Sequence, residues 1–293
     1  MDYFSIRDVE QLTGIKAHTL RIWEQRYGII RPHRKASKHR FYDNEDLKRI
    51  LQVAELNRRG YKISKIARLQ PHELRELAAQ HNIHETQQDY YIGQLITASQ
   101  NFDEEEFTRF YQAAFVQWGF EYVLLHIFYP LLERMGVGWM TDQHRPVQEH
   151  FATNMIMRKL MVATQNLPPA TTGSCTLLVA PPGEQHDLPL YVINYYMRRA
   201  GKPTRMLGAN TPHEILLEAV PPKGNYHIHL HPITRLGDAS ITETVQQYLQ
   251  LFSEATIWVS GPLTADVAYT HERLKLIPSL QALVAHCSSS AQD

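Results

Sequence analysis

The sequence predicts a multidomain chain of α plus α/β class, on three observations. Up to about residue 167 the apolar residues recur at three- and four-residue spacing, as helices require, apart from one basic stretch near the start. Beyond a linker, Leu167-Pro168-Pro169-Ala170-Thr171-Thr172-Gly173, short apolar runs alternate with helical stretches. Charge divides the chain again: residues 1–70 hold 16 Lys and Arg against 8 Asp and Glu, and the other 223 hold 14 against 22. A basic head joined to an acidic body suits a polyanionic partner for the head.

The head reads as short helices around a basic hairpin. Ser5 with Asp8 resembles a capping box, Val9 and Leu12 give an apolar stripe, and Gly14 stops the helix. A second helix runs from about Lys16 to Tyr27, with Ile15 and Leu20 inward, and the tight turn between the two gives a helix-turn-helix outline. The stretch 30–42 is basic without helical periodicity and suits a β-hairpin wing. Asn44 can cap a helix through Leu47, Ile50, Leu51 and Leu56, which Gly60 ends; Ile63, Ile66 and Leu69 form one more stripe before Pro71.

Between about 71 and 167 only helices are expected, four of them forming a bundle. Asp103 with Glu106 reads as a second capping box, ahead of Phe107, Phe110, Tyr111, Ala114 and Trp118. A further stripe is Tyr122, Leu125, Phe128, Leu132 and Met135; Gly136-Val137-Gly138 breaks it, and a long helix starts near Arg145. In the last third, strands are expected at 176–180, 204–207, 227–230 and 256–259, with helices centred on 191–199, 214–220 and 241–252. That alternation predicts a doubly wound parallel sheet with helices on both faces.

A helix that enters the DNA major groove needs short polar and basic residues near its amino end and an apolar back. Lys16, His18, Thr19, Arg21, Gln25 and Arg26 suit the exposed side, and Arg31, Arg34, Lys35, Lys38 and Arg40 of the wing suit phosphates. Trp23 and Tyr27 read as packing residues. The run from Thr19 to Pro32, containing Trp23-Glu24-Gln25-Arg26-Tyr27-Gly28, then Arg40-Phe41-Tyr42 and Asp46-Leu47, resembles the amino-terminal winged helix of MerR-type regulators. The Trp-Glu-x-Arg-Tyr-Gly form is similar to the subgroup of light-responsive, cobalamin-dependent repressors. The resemblance implies a double-stranded DNA partner.

Trp139, nine residues, then Glu149-His150 resembles the W-x9-E-H pattern of the helical cap in adenosylcobalamin-binding regulators. It implies that Trp139 lies over the upper ligand and that Glu149 and His150 line the same pocket. Cobalamin-binding sheets of that type, flavodoxin-like in outline, carry D-x-H-x-x-G, about 41 residues, S-x-L, about 27 residues, then G-G. Here Glu184-Gln185-His186-Asp187-Leu188-Pro189, His231-Pro232-Ile233 and Gly261-Pro262 keep those spacings. The resemblance implies that His186 ligates cobalt from below and that Glu184 orients its ring. Pro189, His231 and Pro262 depart from the pattern, each adding bulk or removing backbone freedom where the nucleotide tail of the ligand should lie.

Two function classes follow. One is a regulator whose adenosylcobalamin-binding body controls oligomer formation and DNA binding, with light breaking the cobalt–carbon bond. The other is a MerR-type regulator whose body has lost cobalamin and serves as an oligomerisation or partner-binding module. An enzyme is not expected: no nucleophile–base constellation is present. Expected units are a winged helix at 1–72, a helical cap at 80–167 and a cobalamin-binding-like sheet domain at 173–287. His227, His229 and His231 share one strand face, which would suit a metal cluster, but without further ligands at recognisable spacing they read as structural. Cys175 and Cys287 give no disulfide framework, and no apolar run approaches the ~20 residues that span a bilayer. The expectation is a cytoplasmic protein that self-associates through its body.

Overall fold

A computed structural model describes residues 4–13, 15–30, 32–34, 40–58, 60–79, 86–140, 145–170, 173–220, 226–234 and 240–288. The chain forms two compact units, 1–155 and 156–293.

The first unit opens with β1 (Phe4–Ser5), α1 (Ile6–Thr13), α2 (Ala17–Tyr27), β2 (His33–Arg34), β3 (Arg40–Tyr42), α3 (Asn44–Arg58), α4 (Ile63–Ile66) and α5 (Pro71–Ala79). β3 pairs antiparallel with β2, which makes the wing, and also with β1. Val9, Leu20, Trp23, Tyr42, Leu47, Ile50, Leu56 and Ile66 form one core beneath helices and wing. The α2 chain stops at Gly28, whose φ of +61° is left-handed and whose N–H closes on Glu24 O at 3.2 Å. The α3 cap is Asp43, not Asn44: Asp43 Oδ1 accepts from Asp46 N at 2.8 Å and Asp46 Oδ2 accepts from Asp43 N at 3.2 Å. Two carboxylates three residues apart satisfy both orphan amides at once, which Asn44 could not do one position later. Gly14 lies outside the described residues, as does the Leu12 side chain.

The unit continues with α6 (Gln87–Gln100), α7 (Glu104–Trp118), α8 (Phe120–Val123), a π-helical turn (Leu124–Phe128), α9 (Tyr129–Met140) and α10 (Pro146–Gln165), whose last turns enter the second unit. Asp103 caps α7 by accepting from Glu106 N at 2.9 Å, but the Glu106 carboxylate turns to Arg109, so the expected box is a single cap. The expected stripe also shifts. Leu124, Ile127, Phe128, Leu131 and Met135 are buried, whereas Tyr122, Leu125 and Leu132 sit at its edge. The π turn just before Pro130 inserts an extra residue per turn and moves the register by one. The glycines at 136 and 138 do not break α9. Each costs about 1 kcal/mol of helix propensity, which the burial of Leu131 and Met135 on the same helix offsets.

The second unit holds β4 (Cys175–Val179), α11 (Leu188–Arg199), β5 (Thr204–Gly208), α12 (His213–Ala219), β6 (Tyr226–Leu230), α13 (Ile241–Leu251), β7 (Thr256–Ser260), a 3-10 turn (Pro262–Asp266), β8 (Leu274–Ile277) and α14 (Leu280–Ser288). The strands are parallel in the order β5-β4-β6-β7-β8. The fold is the expected doubly wound sheet with one strand more, since the Leu-Lys-Leu-Ile of β8 is too short to stand out by pattern. Alternation separates the two faces. Leu177, Val179, Ile228, Leu230, Ile257 and Val259 pack against Val245, Tyr248 and Leu249 of α13. The opposite face carries Thr176, His227, His229, Trp258 and Ser260, and His286 of α14 packs onto it. Strand order reverses beside β4, so the crevice where ligands bind such sheets lies beyond the carboxyl ends of β4 and β6.

Candidate functional sites

That crevice is where the sequence places Glu184 and His186. Glu184 is wholly buried. Its Oε1 accepts from His186 Nδ1 at 2.6 Å and from His186 N at 2.9 Å. Its Oε2 accepts from Ile233 N at 2.6 Å, Thr234 N at 2.8 Å and Thr234 Oγ1 at 3.2 Å, all in the loop after β6. Burial by itself would raise this carboxyl; the hydrogen bonds from His186, Thr234 and Ile233 overcome that and hold it at about 2. One carboxylate thus ties together the two loops that flank the crevice. Because the ionised carboxylate accepts from Nδ1, the neutral His186 ring carries its lone pair on Nε2, and the side chain is 53% exposed. This is the arrangement a metal-ligating imidazole needs, with its tautomer fixed from behind. The longer Glu in place of Asp still reaches. The backbone donors of Ile233 and Thr234 carried no sequence signal, because any residue supplies an N–H.

The tail side of the site is different. His231 is buried, its Nδ1 lies 2.7 Å from Ser260 Oγ, and His229 Nε2 meets the same hydroxyl at 2.7 Å. The ring edge of His231 borders Gly261, where a Cβ would come within 3.1 Å of Nε2 and 2.9 Å of Pro232 O. Gly261 has φ +95°, and Pro262 opens the 3-10 turn. Farther down, Trp258 stacks on His227 at 4.2 Å and meets the edge of His286 at 4.2 Å. The three alternating histidines therefore do not converge on one point: His227 goes to Trp258, and His229 and His231 go to Ser260. Burial pushes His229 well below its ordinary value, and burial takes His231 and His286 down to about 4, so these rings are neutral at pH 7. Pro189 lies in the first turn of α11, partly buried.

In α10, Glu149 is half-buried and accepts from Thr153 Oγ1 at 2.8 Å, and His150 is exposed. Trp139 lies in α9, and its side chain is outside the described residues.

In the head, α2 leaves Lys16, His18, Arg21, Gln25 and Arg26 exposed and Thr19 half-exposed, while Trp23 packs inward. Glu10, which sequence reasoning passed over, organises the turn. Its Oε1 pairs with Lys16 Nζ at 3.0 Å, and its Oε2 accepts from Ala17 N at 3.0 Å, capping α2 from α1. Arg34 stands opposite Arg40 in the wing ladder. Arg31, Lys35 and Lys38 lie outside the described residues, as do the side chains of Arg34 and Arg40.

Comparison with known proteins bears on the head and on the helical region that follows it. Residues 4–73 match the family described as MerR HTH family regulatory protein, and residues 91–163 match the B12 binding domain. The chain is 32% identical over 210 residues to the HTH-type transcriptional repressor CarA of Myxococcus xanthus, covering 71% of this chain and 68% of CarA. The chain belongs to the CarA family of MerR-type transcriptional regulators. Similarity to the HTH-type transcriptional repressor CarH of the same organism is 23% over 278 residues, covering 92% of this chain and 93% of CarH. By fold, the chain is similar to the monomethylamine corrinoid protein of Methanosarcina barkeri, with a TM-score of 0.52 at 12% identity over 68% of this chain and 95% of that one. This CarA-family member is thus a DNA-binding transcriptional regulator with a B12-binding region. No helix among its described residues is long and apolar enough to cross a membrane.

The residues present fit a corrinoid in part. His186, with Glu184 behind it, would suit a ligand to cobalt. The positions assigned by resemblance to the nucleotide tail hold Pro189, His231 and Pro262, with His231 on Ser260 and against Gly261.

Proposed function

We propose that this chain is a cytoplasmic, non-catalytic regulator whose body takes up adenosylcobalamin and whose self-association then controls the grip of the winged helix on DNA. The observation that carries the reading is the His186 imidazole, held through Nδ1 by Glu184 at the switch point of the sheet, its side chain 53% exposed. Adenosylcobalamin would supply a cobalt–carbon bond that light can cleave. On this reading His186 is the cobalt ligand, Glu184 positions it, and Trp139, Glu149 and His150 belong to the upper pocket. Lys16, His18, Thr19, Arg21 and Arg26 read or flank the major groove, and Arg31, Arg34, Lys35, Lys38 and Arg40 hold phosphates. The units act as a winged helix at 1–72, a cap at 80–167 and a sheet domain at 173–287.

The full chain, mixed with adenosylcobalamin in the dark and desalted, should retain the corrinoid absorbance. His186→Ala should lose it or change its spectrum. Size-exclusion chromatography should show a larger species in the dark than after illumination, with DNA retained by the larger one. A colourless wild-type protein sinks the cobalamin part of the reading and leaves the DNA part standing.

A further inference from the structure

We propose that His33, Asp43 and Asp46 form a binding site for a divalent transition ion of the zinc type, which fastens the wing to α3. The site lies in the head and is independent of the corrinoid reading.

His33 belongs to β2 of the wing, Asp43 caps α3, and Asp46 lies in the first turn of that helix. One ligand atom from each comes within 4.8 Å of the other two. His33 Nε2 lies 3.3 Å from Asp43 Oδ2 and 3.7 Å from Asp46 Oδ2. Both separations are longer than an ordinary N–H···O hydrogen bond of about 2.7–3.2 Å. They suit donor atoms around zinc, whose bonds of about 2.0–2.2 Å set tetrahedral ligands roughly 3.3–3.6 Å apart.

The three groups are held in place by the fold itself. Asp46 N donates to Asp43 Oδ1 and Asp43 N to Asp46 Oδ2, which leaves Asp43 Oδ2 turned to His33. The His33 ring stacks on Phe41 of β3 at 5.3 Å. Ligands oriented from behind in this way bind metal more tightly. Charge points in the same direction. Two carboxylates three residues apart repel, and the partial charge of about +0.5 at the start of α3 offsets only a quarter of their sum. An imidazole donor disfavours calcium and magnesium, which take oxygen ligands, and suits zinc. The His33 lone pair and one oxygen from each carboxylate replace water on the ion. A water keeps the fourth position, to which the 53% exposure of the His33 side chain gives access.

The consequence falls on the wing. Among the described residues β2 and β3 pair at two positions only, and so short a ladder is marginal by itself. An ion that ties β2 to the start of α3 orders the strand before DNA arrives, which lowers the entropic cost of binding. It also adds positive charge beside a surface assigned to phosphates.

In the test, the full chain is stripped of metal with a chelator, dialysed, and titrated with zinc against a chromophoric zinc indicator. One tightly held ion per chain is expected. His33→Ala and Asp43→Asn should each weaken it by about tenfold or more. Asn can still cap α3, so the second variant separates ligation from folding. His72→Ala, which removes an exposed histidine outside the site, should bind zinc as the wild type does. Zinc should also tighten the wild type on a mixed-sequence duplex several-fold at fixed salt and leave His33→Ala unchanged. Equal zinc affinity in the wild type and both site variants overturns the site and makes the ion adventitious. Zinc held by the site with no change in duplex affinity overturns its role in the wing.

Discussion

Glu184 and His186 are two residues apart, and the carboxylate of the first fixes the imidazole of the second through a 2.6 Å bond to Nδ1. The other carboxylate oxygen ends on the loop after β6, so one buried charge sets both the orientation of the imidazole and the shape of the crevice.

The acid limb of stability should report this charge. The Glu184 carboxyl sits at about 2 in the folded chain against an ordinary 4.5. A depressed carboxyl stabilises fully above its unfolded value and loses that contribution as pH falls through the folded one. The drop between pH 4.5 and 2 should be on the order of 3 kcal/mol. Glu184→Gln should remove this limb and lower stability at pH 7 by about 2–3 kcal/mol, since an amide cannot accept at both ends. Urea unfolding of wild type and variant at pH 7 and pH 3 measures it. An unchanged midpoint at pH 7 would show that the carboxylate does not hold the loops.

The histidine layer should give a second, separate pH dependence. His231 and His286 are both lowered to about 4 from 6.5, chiefly by burial. Between those values the unfolded chain binds more protons, so stability rises with pH from about 4 to 6.5 and is level above. Each ring contributes on the order of 3 kcal/mol across the window. His231→Ser should reduce the slope between pH 5 and 6.5 by about one proton. A slope equal to wild type would mean that His231 titrates as an exposed ring.

Gly261 has φ +95°, and a Cβ there would meet Pro232 O and His231 Nε2 at 2.9 and 3.1 Å. Gly261→Ala should destabilise by about 1–3 kcal/mol through backbone strain alone, with the steric clash added. Adding His231→Ala should restore only part, because the Pro232 carbonyl remains. Full restoration would assign the whole penalty to the ring.

Arg21 projects from α2 into solvent. On a promoter fragment, Arg21→Ala should weaken binding several-fold. If it touches phosphate alone, the slope of log affinity against log salt should fall by about one, equally on specific and nonspecific DNA. A loss confined to one base position would instead make Arg21 a base reader.

The sequence by itself determined the order of modules. Its charge split, its Trp-Glu-x-Arg-Tyr-Gly run and the shift from helical to alternating texture are local patterns, and local patterns survive without a structure. It also marked Glu184, His186 and His231, because motif spacing is counted along the chain. The tertiary structure alone decided what those residues meet. The backbone donors of Ile233 and Thr234 come from a loop 49 and 50 residues away, and the Ser260 hydroxyl lies 29 residues from His231. Such partners meet only because parallel pairing lays β4, β6 and β7 side by side with their carboxyl ends at one edge. The move of the α3 cap to Asp43 is by contrast local, an exchange of hydrogen bonds with Asp46 three residues on. A residue's neighbours in sequence limit its conformation, whereas packing against distant segments selects which orientation is kept.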